Sequence, residues 1–226
     1  MENQLREIIT ALASLNESDR CYALEDLQQL NDPTIVPYMV NALEDHSVRV
    51  RETAVESLIK VGGTPVAEAA AALLSSENVP LRNAAIEVLE MLGSPAVSVL
   101  EKYICSPSVD IRKFAIDTLG KLLSQAGTVT PSVLGLLIAS LSDQDGNVAG
   151  AAAEALGMTK NDLAVPSLVK QIFGENQSTW LQCNIIVALS RISSEQSLQA
   201  IREIDDTRLS GAAKTYIEMA LKGEVL

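Results

Sequence analysis

Hydrophobic and polar positions in this chain recur on a helical period, and the recurrent block is itself repeated. The block reads aliphatic, Arg, two free positions, Ala, three free, Leu, two free, aliphatic, as in Val50, Arg51, Ala54, Leu58 and Val61. Leu81, Arg82, Ala85, Leu89 and Leu92 fill it again, as do Ile111, Arg112, Ala115, Leu119 and Leu122. An upstream copy places Arg20, Ala23, Leu27 and Leu30 behind Asp19, and weaker copies start at Val148, Leu181 and Leu209. Positions 0, 4, 8 and 11 of the block fall within about 80° on a helix of 3.6 residues per turn, so each copy predicts an amphipathic helix with one buried stripe.

A second apolar segment precedes each of these helices: Leu5 to Leu12, Ile35 to Leu43, Val66 to Leu74, Val97 to Ile104, Val133 to Leu141, Leu163 to Ile172 and Leu198 to Ile204. The predicted unit is therefore a helical hairpin, with approximate bounds 1–31, 32–63, 64–93, 94–127, 128–160, 161–193 and 194–226. Asp32-Pro33, Thr64-Pro65, Thr130-Pro131 and Asn161-Asp162 mark helix starts. Gly62-Gly63, Gly93 and Gly127 mark helix ends. No hairpin buries both of its stripes alone, so neighbours complete one another's core, and a single array over 1–226 is expected. The extra residues of the fourth copy, "LSQAGTVT", predict a bend or loop at 123–130.

The stretch "DPTIVPYMVNALEDHSVRVRETAVESLIKVGG" resembles a HEAT repeat of the short type found in bilin-lyase-like proteins. The marks are Asp32-Pro33 opening the first helix, Pro37 within it, Asp45 in the turn, Val50-Arg51 opening the second helix and a closing Gly62. The sixth copy, "NDLAVPSLVKQI", sets Pro166 where Pro37 stands. The resemblance implies an all-α fold, a right-handed α-solenoid (superhelix) of about seven HEAT-like hairpins, with the second helices on the concave side. It further implies that the block arginine bonds a neighbouring turn, making Arg20, Arg51, Arg82 and Arg112 a structural ladder. Ala149, Gln182 and Ser210 take that place in the later copies.

Composition agrees with helices packed through small side chains: 47% of the 226 residues are apolar and only 3% aromatic. Seventeen basic against twenty-nine acidic residues leave a net charge of −12, which repels nucleic acid and anionic membranes and attracts a basic partner surface. "MENQLREIITALAS" lacks the basic start and apolar run of a secretion signal, and turn-forming residues interrupt the uncharged stretch 122–142. A cytoplasmic protein without a membrane span is expected.

Six positions into each second helix, opposite the buried stripe, stand Glu25, Glu56, Glu87, Asp117 and Glu154, followed by Val187 and Thr215. Such a row is either a solvated face or a negative track for a Lys/Arg-rich segment of another protein. Small residues flank it: Gly150 and Gly211 at position 2, Gly120 and Gly157 at position 9. Missing side chains there predict a shallow dip around "NVAGAAAEALG", centred on Gly150, where a partner's backbone comes close. Trp180 either anchors a partner or plugs a gap between repeats. Cys21 and Cys183 share position 2 and are expected to be exposed.

No catalytic constellation emerges. His46 is the sole histidine and sits in a turn, so no imidazole-rich metal site is expected. In the HEAT-like deoxyhypusine hydroxylases iron is held by His-Glu pairs, whereas Ser47 follows His46 here. Cys21, Cys105 and Cys183 show no C-x-x-C spacing and lie two or more stacking steps apart, so they are expected as free thiols. The chain therefore reads as a cofactor-free, non-catalytic scaffold or adaptor. A bilin-lyase-like role in tetrapyrrole attachment or chaperoning is the alternative that the resemblance implies.

Overall fold

A computed structural model of the protein describes residues 2–30, 32–174 and 178–224. Its α-helices are α1 (Glu2–Ala11), α2 (Glu17–Gln29), α3 (Val36–Ala42), α4 (Val48–Val61), α5 (Gly63–Ala72), α6 (Val79–Leu92) and α7 (Ser94–Tyr103). They continue as α8 (Val109–Ala126), α9 (Pro131–Ser140), α10 (Gly146–Thr159), α11 (Val165–Ile172), α12 (Thr179–Ile192), α13 (Glu195–Glu203) and α14 (Gly211–Lys222). Odd-numbered helices are the first, and even-numbered helices the second, members of successive hairpins. No strand occurs among the described residues. The fold is an all-α solenoid of helical hairpins.

Local chemistry sets the helix ends. The Ser47 hydroxyl accepts from the Val50 N–H at the start of α4, and the Asp145 carboxylate accepts from the N–H groups of Asn147 and Val148 at the start of α10. Gly62 ends α4 with φ of 65°, its N–H returning to the Leu58 carbonyl. At the ends of α10 and α12 the positive φ falls on Lys160 and Ser193 instead.

The chain divides into two compact units, 1–100 and 101–226. In the first, α2 packs on α4 and α4 on α6, around Leu24, Leu27, Met39, Leu58 and Leu89, none of which is exposed to solvent. In the second, α10 lies between α8 and α12, and α12 packs on α14, around the equally inaccessible Leu119, Leu137, Leu156, Ile185 and Leu189.

Of the bend or loop expected at 123–130, only residues 127–130 form one; the residues before them stay helical. They extend α8 to Ala126, where Gly127 takes φ of 66° and caps onto the Leu123 carbonyl. Leu122 and Leu123 are buried, so the apolar stripe continues and the helix continues with it.

Candidate functional site

Five of the second helices, α2, α4, α6, α8 and α10, share one turn design. Ser14, Asp45, Ser76, Ser106 and Asp143 each accept, through a side-chain oxygen, the N–H two residues downstream. The block arginine then clasps the carbonyl at that turn position: Arg20 to Ser14 at 2.9 Å, Arg51 to Asp45 at 2.7 Å, Arg82 to Ser76 at 2.7 Å and Arg112 to Ser106 at 2.9 Å. Two of the arginines also reach the next hairpin. Arg20 Nε and Nη2 donate to the two Asp45 oxygens, both at 2.8 Å. Arg112 does the same to Asp143 at 2.8 and 2.9 Å.

These paired carboxylates titrate below the ordinary aspartate range. At Asp45 burial alone would raise the value, but the bonds from Arg20 and the Ser47 N–H outweigh it. At Asp143 the Arg112 guanidinium is the leading cause. The same bonds hold Arg20 and Arg112 above the usual arginine value. Beside this cluster the His46 side chain is 82% exposed, with Nδ1 3.4 Å from the Asp45 carboxylate.

Of the acidic row, Glu25 on α2, Glu56 on α4 and Glu87 on α6 are exposed in the first unit. In the second unit Lys113 holds the half-buried Asp117 at 2.6 Å, and Arg191 holds Glu154 at 3.1 Å. Between α4 and α6 lies an open cleft of about 510 Å³. Val55, Ile59 and Ala84 give it apolar lining, and Glu52, Glu56 and Glu87 give it carboxylates. Glu52 was not singled out in the sequence. Its signal is the four-residue step to Glu56, which sets both on one face of α4.

Positions 2 and 9 depart from the sequence expectation at Gly150, Gly120, Gly157 and Cys21, whereas Gly211 is exposed with nothing within 4 Å of a built Cβ. Gly150 is not an open dip: a Cβ built on it would lie 2.0 Å from the Trp180 ring, which occupies that space while remaining 49% exposed. Gly120 and Gly157 let helices approach, with virtual Cβ positions 3.1 Å from the Ala155 Cα and 2.8 Å from the Ala188 Cα. Cys21 is buried rather than exposed, its sulfur accepting from the Thr53 hydroxyl on α4. At these sites the two positions face the neighbouring second helix, so a missing side chain there serves lateral packing. Cys105 is exposed, Cys183 half-buried, and all three thiols are free.

HEAT repeats match residues 5–90 and 133–221, well over half of the sequence. The chain belongs to the HEAT-repeat family. Comparison with curated proteins yields no match. Among solved structures, this HEAT-repeat chain is similar to human deoxyhypusine hydroxylase in complex with glycerol, at 15% identity over 98% of this chain and 96% of that one, with a TM-score of 0.41. It is also similar to the complex of CpcE and CpcF of phycocyanin lyase from Nostoc, at 22% identity over 97% and 86% of the two chains, TM-score 0.40. A third is an engineered protein, at 17% identity over 97% and 67%, TM-score 0.43.

Among the described residues of this HEAT-repeat chain, no group of three His, Cys, Asp or Glu is placed to hold a metal ion. None of its described helices is long and apolar enough to cross a membrane.

Proposed function

We propose that this HEAT-repeat chain is a non-catalytic, cytoplasmic scaffold that binds a basic segment of another protein on the face formed by its second helices. The observation that carries this reading is the exposure of Glu25, Glu56 and Glu87 at equivalent positions of consecutive second helices, in a chain of net charge −12. Stacked helices stand about 8–10 Å apart, close to one Debye length at physiological salt, so the carboxylates add to one negative field without strong mutual repulsion. A Lys/Arg-rich segment gains both steering and register from such a field. Within the second unit, Trp180, half-exposed over Gly150, offers a separate aromatic anchor at the head of α12.

Affinity capture from native lysate tests the reading. The wild-type chain is expected to retain a stoichiometric protein partner that is lost when Glu56, Glu87 and Glu154 are replaced by Lys. Undiminished capture by that variant removes the acidic face from the proposal.

A further inference from the structure

Apolar lining and an excess of negative charge coincide in the cleft between α4 and α6. Its volume of about 510 Å³ falls within the range of about 300–1,000 Å³ typical of ligand-sized clefts. Val48, at the cleft and 57% exposed, continues its apolar surface to the head of α4. Glu52 and Glu56 lie one helical turn apart, about 5–6 Å between their Cβ atoms, and Glu87 stands across from them on α6.

The charge is distributed unevenly along the acidic row. Asp117 and Glu154 are tied to Lys113 and Arg191. Glu56 has Lys60 at 4.0 Å, but both side chains are well exposed, and such a surface pair is weak. Glu52 and Glu87 have no cation at ion-pair distance among the described residues. Arg51 also borders the cleft and is the one cation among its lining residues, so Glu52, Glu56 and Glu87 leave the lining with a net negative charge; its Nη1 is turned to the Asp45 and His46 carbonyls. An anionic ligand would therefore meet three carboxylates, while a purely apolar one would leave them without partners.

The geometry points to this cleft as the docking site for a partner segment in which one or two aliphatic side chains are flanked by lysine or arginine. The inference rests on the scaffold reading and gives it a place. The aliphatic residues enter between α4 and α6 against Val55 and Ile59. The flanking cations meet Glu52 and Glu56 on one side and Glu87 on the other.

Fluorescence anisotropy of the full chain with a dye-labelled Lys-Lys-Ile-Leu-Lys-Lys peptide tests it. Saturable binding is expected, weakened about tenfold or more in Glu52→Gln/Glu56→Gln/Glu87→Gln and changed less than about twofold in Asp117→Asn/Glu154→Gln. Val48→Ser, and a Lys-Lys-Ser-Ser-Lys-Lys peptide on the wild-type chain, should each bind more weakly. All the substituted cleft side chains are exposed, so unchanged far-UV circular dichroism will show that the variants fold. Absence of saturable binding, or equal weakening in the two charge variants, overturns the cleft assignment. If either occurs while lysate capture still depends on Glu56, Glu87 and Glu154, the scaffold reading stands and the cleft alone falls.

Discussion

Arg20 and Asp45 join consecutive hairpins through two parallel hydrogen bonds of 2.8 Å, and the arginine side chain is only 4% exposed. Arg112 and Asp143 repeat the arrangement within the second unit. A guanidinium fork matched to a carboxylate fixes orientation as well as charge, so each pair sets the register of one hairpin on the next.

Both carboxyls titrate below their ordinary value. A group whose folded pKa is depressed contributes stability that is present above the unfolded value, near 3.8, and lost as pH falls through the folded one. Urea unfolding across acid pH should show stability falling below about pH 4, and falling less steeply in Asp45→Asn/Asp143→Asn. An identical acid slope in that variant would assign the loss to other carboxylates.

Asp143→Ala should cost about 1–3 kcal/mol in urea unfolding, because it leaves a largely buried guanidinium without its carboxylate. Ser76→Asp tests the same geometry by addition. Ser76 already makes the turn bond to the Asn78 N–H that aspartate makes at Asp45 and Asp143. An aspartate there keeps that bond and offers Arg51 the partner that Asp45 offers Arg20, with an expected gain of about 1 kcal/mol.

Much of the fold was legible because its causes are local. The stripe of Val50, Ala54 and Leu58, the Asp32-Pro33 start and the Gly62 end each depend on residues within a few turns of one another. Lateral relationships were not legible, since they depend on residues about thirty positions apart. Gly150 reads as a dip until Trp180 is laid over it, and Cys21 as exposed until α4 is set beside it. Some signals were nevertheless present. Asp45-His46-Ser47 and Asp143-Gln144-Asp145 each place an acid two residues before a helix cap, and those acids are the ones that accept the Arg20 and Arg112 forks. The positive φ values at Lys160 and Ser193 had no glycine to announce them.

Two glycine replacements should move stability in opposite directions. Gly135 on α9 has nothing within 4 Å of a built Cβ, so Gly135→Ala should gain about 0.5–1 kcal/mol from helix propensity. At Gly157 the same methyl would lie 2.8 Å from the Ala188 Cα, and overpacking costs about 1–3 kcal/mol. Gly157→Ala should therefore lower the thermal midpoint while Gly135→Ala raises it.

Trp180 is the sole tryptophan, so its emission reports its seat on α10 without interference. Gly150→Ala places a methyl where the ring now lies. The ring must move outward, and a red-shifted, more readily quenched emission is expected. Unchanged emission would mean that the ring does not rest on Gly150.

Hydrogen exchange of the chain with and without its captured partner tests the binding face most directly, because amide protection reports which helices open less in the complex. Added protection is expected in α4 and α6, with α3 and α5 unchanged. Protection confined to α3 and α5 would place the partner on the opposite side of the hairpins and contradict the assignment of the second-helix face.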